Sequence, residues 1–238
     1  MTSTTMMPVT TITEAGLYRL LTWLSPAYPV GAYSYSHGIE YAVEAALIAD
    51  RDGLIAYVAT ALEDGAGRVD AALLSAAWCA ARDGDAARLV EIADLAAAWR
   101  GTSEMALETE TQGRAFLSTT RATWSHPGLD ALADRRADSI VALPVAVGAA
   151  AAFHGISRPL ALAGFLHACA ANLVSAGVRL IPLGQTDGQR AMAALEPIVA
   201  RVVATTMATP LEEVATAAPL IDWCSMRHES QYTRLFRS

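Results

Sequence analysis

The stretch LALAGFLHACAANLVSAGV, Leu160–Val178, decides the fold. Its only polar side chains are His167, Asn172 and Ser175, and its length would suit a bilayer. Much of it is alanine and glycine, however, which contribute little transfer free energy. Arg158 and Arg179 flank it on both sides, so no charge asymmetry orients it. The better reading is a buried central helix, apolar because protein surrounds it.

The rest of the chain agrees with a helical core. It has 238 residues, 50 of them alanine, the strongest helix former, and β-branched runs are scarce. No repeat, low-complexity linker or shift in composition marks a boundary. The expected fold is all-α, a single helical domain of about ten helices. Residues 1–12 read as a flexible lead-in to a helical domain over 13–238, because they lack the basic and apolar regions of a signal peptide.

Start and stop signals divide that domain. The first helix runs from Glu14 to Leu24, and the second from Ser36 to about Ile48. Asp52 caps a third, and Gly65 and Gly67 break it from a fourth. Asp85 opens the next, and Thr102 or Ser103 caps the one after. Residues 123–139 are the most loop-like. Pro144 opens an apolar helix, and Ser157 opens the long one. Thr186 and Gln189 have the spacing of a capping box for a helix over 187–207. Thr209, Pro210 and Glu212 repeat the device, and Pro219 opens the last helix.

Charge excludes several chemistries. The net charge is −7, and all 17 basic residues are arginine. A lysine-free acidic chain is a poor nucleic-acid binder. It has no Walker A loop and no Schiff-base nucleophile. Cys79, Cys169 and Cys224 are three and widely spaced, which fits a reduced, cytoplasmic protein.

Catalytic and metal patterns are weak. Ser34-Tyr35-Ser36-His37-Gly38 lacks the first glycine of a nucleophile elbow, and no strand precedes it. A helical hydrolase using Ser36 and His37 is the rival reading, with Ser36 as a helix cap the plainer one. Cys224 with His228, and His37 with Glu40, are pairs only, short of a closed metal site. His154 and His167 read as core histidines. Glu104, Glu108 and Glu110, with Gln112 and Arg114, read as a solvated helix face.

Two segments stand apart. LSPAYPVGAYSYSHGIE, residues 24–40, carries Pro26, Pro29 and three tyrosines, a stiff aromatic loop that either plugs a core or meets a partner. MRHESQYTRLFRS, residues 226–238, is basic on an acidic chain, and Tyr232, Leu235 and Phe236 would share one helix face. Composition leaves open whether this tail folds onto its own core or serves an interface.

Three strings together, SPAYPVGAYSYSHGIE (25–40), RLIPLGQTDGQR (179–190) and MRHESQYTRLFRS (226–238), resemble the signature segments of the UreF family of urease accessory proteins, and ETQGRAFL (110–117) resembles a fourth. His37 stands where a small residue or glycine is expected. The resemblance implies an all-α, non-enzymatic homodimer without a cofactor or metal site of its own. Its implied partners are UreD (UreH in some organisms), the GTPase UreG and apo-urease, with nickel met only indirectly. It also implies partner-binding roles for Tyr33, Ser34, Tyr35, Ser36 and Glu40 in the first segment. Gly184, Gln185, Thr186 and Gln189 match the second. In the third, the same role falls to Arg227, His228, Glu229, Tyr232, Arg234, Leu235 and Phe236. On that reading the tail 226–238 is a docking element, lightly packed in the free chain, and its removal leaves the fold intact.

Overall fold

The computed structural model describes residues 13–137 and 139–238. The expected flexible lead-in over 1–12 lies outside the described residues. The all-α fold is borne out: among the described residues there are eleven α-helices and no strand. They are α1 (Glu14–Trp23), α2 (Ile39–Glu44), α3 (Arg51–Glu63), α4 (Ala66–Arg82), α5 (Ala86–Ala98), α6 (Ser103–Thr123), α7 (Pro127–Arg135), α8 (Leu143–Phe153), α9 (Arg158–Leu180), α10 (Gln185–Ala208) and α11 (Pro219–His228).

Alanine and glycine set the packing. Helix α8 is buried from Pro144 to Ala151, and its main neighbour is α4. Ala71, Ala77, Ala146, Ala149 and Ala150 are fully buried, so the two backbones lie close. A Cβ on Gly148 would collide with the Leu74 carbonyl group. Gly148→Ala is therefore expected to destabilise the chain by about 1–3 kcal/mol, the usual cost of overpacking. An unchanged midpoint in urea denaturation would refute that.

Helix α9 contains the apolar stretch Leu160–Val178. It packs against α10, α4, α3, α2 and α8, with Leu162, Phe165, Leu166 and Leu173 buried. Its other side carries His167, which is exposed rather than in the core. By length and composition both α9 and α10 could cross a membrane, and half of the apolar window of α9 is buried in the fold.

Several boundaries differ from expectation. Asp50, not Asp52, caps α3, accepting from the Gly53 amide at 2.8 Å. Helix α2 starts at Ile39, three residues after Ser36. Gly184 in extended conformation starts α10, so Thr186 falls inside the first turn and forms no capping box. Thr209, Pro210 and Glu212 lead to a single 3-10 turn, Leu211–Glu213. The loop-like region 123–139 contains α7, whose cap is the His126 ring accepting from the Gly128 amide at 3.0 Å. Asp85 and Thr102 cap α5 and α6 as expected.

Candidate functional site

The loop before α2 is built on its two prolines. The chain turns at Tyr28, whose amide reaches the Ser25 carbonyl at 2.9 Å, and then makes a 3-10 turn over Ala32–Ser34. Tyr28 enters the core, with its hydroxyl 2.8 Å from Thr120 Oγ1. Tyr35 is buried as well, and only Tyr33 stands out, 66% exposed. So the loop plugs the core with two tyrosines and presents one.

His37 and Gly38 both take left-handed backbone, φ 51° and 77°. For histidine this is costly, and two contacts hold it. Tyr57 donates its hydroxyl to the His37 carbonyl at 2.8 Å, and His37 Nε2 lies 3.0 Å from Glu108. Burial works against the charged His37 ring, but Glu108 outweighs it and the pKa is raised. Gly38 has no room for a side chain, since a Cβ would lie 2.7 Å from the Ser225 amide nitrogen. The loop is thus pressed onto α11.

The tail returns across this loop. His228, at the end of α11, is fully buried between two carboxylates. Its Nδ1 lies 2.9 Å from Glu104, and its Nε2 lies 3.1 Å from Glu40. Burial pushes the Glu104 carboxyl up, against the lowering effect of His228. Glu40 also accepts the backbone N–H groups of Leu235 at 2.6 Å and Phe236 at 2.9 Å. Next to it the Arg237 amide donates to the Ser34 carbonyl at 2.7 Å, and the Ser36 amide donates to the Ser238 carbonyl at 2.5 Å. Ser238 Oγ donates to Glu108 at 3.1 Å. Phe236 is 4% exposed, with the Arg179 guanidinium 4.3 Å from its ring centre.

The expectation of a lightly packed tail is therefore overturned. One carboxylate, Glu40, satisfies two tail amides and one face of His228, and such charge-assisted bonds hold a bent, non-helical segment in place. The predicted helical face is also absent. The chain leaves helical conformation after His228, so Phe236 turns inward while Tyr232 and Leu235 face solvent. Arg234 reaches Glu104 at 3.4 Å, and Glu229 accepts from Ser103 at 2.5 Å. Arg227 sits over the Tyr41 ring.

The glutamates of α6 depart from the solvated face expected of them. Glu104, Glu108 and Gln112 are buried, and only Glu110 pairs with Arg114 on an exposed face. Of the second signature segment, Gln185, Thr186 and Gln189 are exposed at the start of α10.

The rival chemistry finds little support in this geometry. Ser36 is fully buried, and its Oγ lies 3.4 Å from the Glu40 amide. It serves the start of α2 and is closed to a substrate. The two nitrogens of His228 point in opposite directions, so Glu40, His228 and Glu104 do not converge on one point. Among the described residues no group of three or more His, Cys, Asp or Glu side chains is arranged to hold a metal ion.

Several large apolar side chains remain exposed, among charged and polar ones. Tyr33, Tyr232 and Leu235 lie on the two segments joined at Glu40 and Ser34. Leu220, Trp223 and Met226 of α11 are exposed alongside, with Trp223 edge-on to Tyr41 of α2. Large apolar side chains left exposed on firmly held segments are the kind of surface through which a helical protein meets other proteins.

Comparison with known sequences gives the particular family. The sequence model of the UreF family matches residues 48–196. The chain is 56% identical over 231 residues to the urease accessory protein UreF of Granulibacter bethesdensis, covering 97% of this chain and 98% of that protein. It is 51% identical over 224 residues to the protein of the same name from a Bradyrhizobium strain, covering 94% and 92%. The Rhodopseudomonas palustris TIE-1 protein of that name is 49% identical over 225 residues, with 94% and 93% covered. The chain belongs to the UreF family.

Proposed function

We propose that this chain is a non-enzymatic part of the urease maturation machinery that bridges a UreD-type (UreH-type) protein and the GTPase UreG. In that role it assists GTP-dependent nickel insertion into apo-urease. It acts in the cytoplasm as a homodimer, holds no cofactor, and meets nickel only through its partners. The observation that carries this reading is the seam between the loop 24–40 and the tail 226–238. Buried polar contacts fix both segments, and the fixed frame presents Tyr33, Tyr232 and Leu235 to solvent. Side chains carried on a backbone that is already fixed lose less entropy on binding than those of a mobile tail.

Purified chain should be retained by UreD and UreG together, with GTP and nickel varied independently. Tyr232→Ala and Leu235→Ala are each expected to weaken capture by about 1–3 kcal/mol, roughly 5- to 150-fold. Neither should change the melting temperature, because both side chains are exposed. Wild-type affinity in the double variant would remove this seam from the interface. Failure to bind either partner at micromolar concentration would sink the reading itself.

A further inference from the structure

Helix α1 is anchored at its C-terminal end. Its last residue, Trp23, is buried and edge-on to Phe116 and Trp124, with ring centres 6.0 and 6.1 Å away. Beside it, Leu20 and Leu24 leave no room for a Cβ on Gly164 of α9. The outer side carries Leu17, Tyr18 and Leu21, all exposed. Between the two sides stands Arg19, whose Nη1 lies 3.1 Å from Nδ1 of His154, the residue that ends α8.

That contact fixes the state of the imidazole. A guanidinium only donates, so His154 accepts at Nδ1. Its Nε2 lies 3.1 Å from the Trp124 carbonyl oxygen, which only accepts, so the ring proton sits there. The ring is therefore the neutral Nε2–H tautomer, with both nitrogens engaged. A second proton could go only to Nδ1, where it would set donor against donor and charge against charge at Arg19. The other neighbours do not relieve this. Trp23 lies against the ring at 5.4 Å, and His126, at the start of α7, is 5.8 Å away with its own Nδ1 taken by the Gly128 amide. Among the described residues the carboxylates that pair with histidine are at His37 and His228, and none pairs with His154. Burial first, and then the Arg19 charge, hold the His154 pKa below the ordinary histidine value, against the smaller pull of the Trp124 carbonyl.

We propose that Arg19 and His154 form an acid-sensitive latch, which docks α1 while the imidazole is neutral and releases it, about a hinge at Trp23, once the imidazole is protonated. A histidine whose docked pKa lies below its free value takes up a proton on release. The docked helix therefore keeps its full stability above the free value of about 6.5 and loses it as pH falls from there through the lowered docked value. The placement of Leu17, Tyr18 and Leu21 then depends on pH.

Amide hydrogen exchange on the full chain, corrected for intrinsic rates, tests this. Protection over residues 14–22 is expected to fall by about 3- to 10-fold between pH near 7.5 and pH near 5, while α4 and α8 keep theirs. His154→Asn keeps an acceptor for Arg19 and cannot take a proton in this range, so its α1 should be equally protected at both values. Loss of one ring signal in that variant assigns His154 in an NMR titration. Arg19→Gln, at a half-buried surface position, should move the His154 midpoint up and shrink the pH effect on α1; this variant carries the test if His154→Asn does not fold. Equal protection of wild-type α1 at both pH values would overturn the proposal. So would a fall that survives in either folded variant, or one that vanishes in His126→Gln while His154 titrates at the ordinary value. A loss of protection spread evenly over the whole fold would overturn it too, since acid would then act on the fold and not on a latch.

Discussion

A chain ending at Ser225 is expected to melt about 10–20 °C below the full chain, or to be unfolded at room temperature. The truncation takes away Phe236, and losing a buried phenylalanine side chain typically costs about 3–5 kcal/mol. It also strips His228 from between Glu40 and Glu104, leaving two buried carboxylates without a partner, at a further cost of about 3–5 kcal/mol. The two losses share Glu40 and will not add in full. Even so, their scale matches the whole stability of an ordinary domain. Circular dichroism and thermal melting of the truncated chain decide the matter, and an unchanged melting temperature would mean that the tail contributes nothing to the fold. The practical consequence concerns partner binding. Loss of capture by a truncated chain would report unfolding before it reported a lost docking surface. Point variants at the exposed Tyr232 and Leu235 separate the two.

The sequence made the helices legible because alanine content and capping residues act locally. Thr102 and Asp85 begin their helices for reasons contained within four residues. Helix α7 escaped notice because its cap is a histidine ring, outside the usual set of serine, threonine and aspartate. The start of α10 was misplaced because Gly184 sets it by backbone conformation, which leaves no side-chain signature.

The site was legible only as segments. Its assembly depends on contacts more than a hundred residues apart, such as Glu40 with Phe236 and Glu104 with His228. One local signal of it lies in α6. Glu104, Glu108 and Gln112 step by four along α6 onto the fully buried Phe116. Carboxylates on the apolar stripe of a helix need buried partners, and the chain's few histidines were the natural candidates. The tail was misread for the complementary reason. The spacing of Tyr232, Leu235 and Phe236 signifies one face only while the chain is helical, and backbone bonds to Glu40 hold it in a bent, non-helical course instead.

His228→Leu is expected to cost about 3–5 kcal/mol at neutral pH, although leucine fits the volume. In the native chain both ring nitrogens lie within hydrogen-bond distance of carboxylate oxygens. Leucine partners neither carboxylate, so Glu40 keeps the two tail amides while Glu104 keeps Arg234, with the Glu229 charge acting against it. Burial already pushes the Glu104 carboxyl up, and His228 is what opposes that rise. Removing the ring raises it further. A carboxyl whose folded pKa lies above its unfolded value binds more protons in the folded state. The variant must therefore gain stability as pH falls through that raised value, and lose it as pH rises. The deficit against the native chain should shrink markedly near pH 5 and be largest near pH 8, as read by urea denaturation at the two values. Adding Glu104→Met to His228→Leu should recover most of the loss at pH 8, since it removes the stranded charge and leaves Glu40 its two tail amides. An equal deficit at both pH values, with no recovery in the double variant, would mean that the imidazole acts by shape alone. With the pH dependence and the rescue, the buried ion row is what fastens the third signature segment to the first. The exposed face those segments share then owes its geometry to three buried side chains.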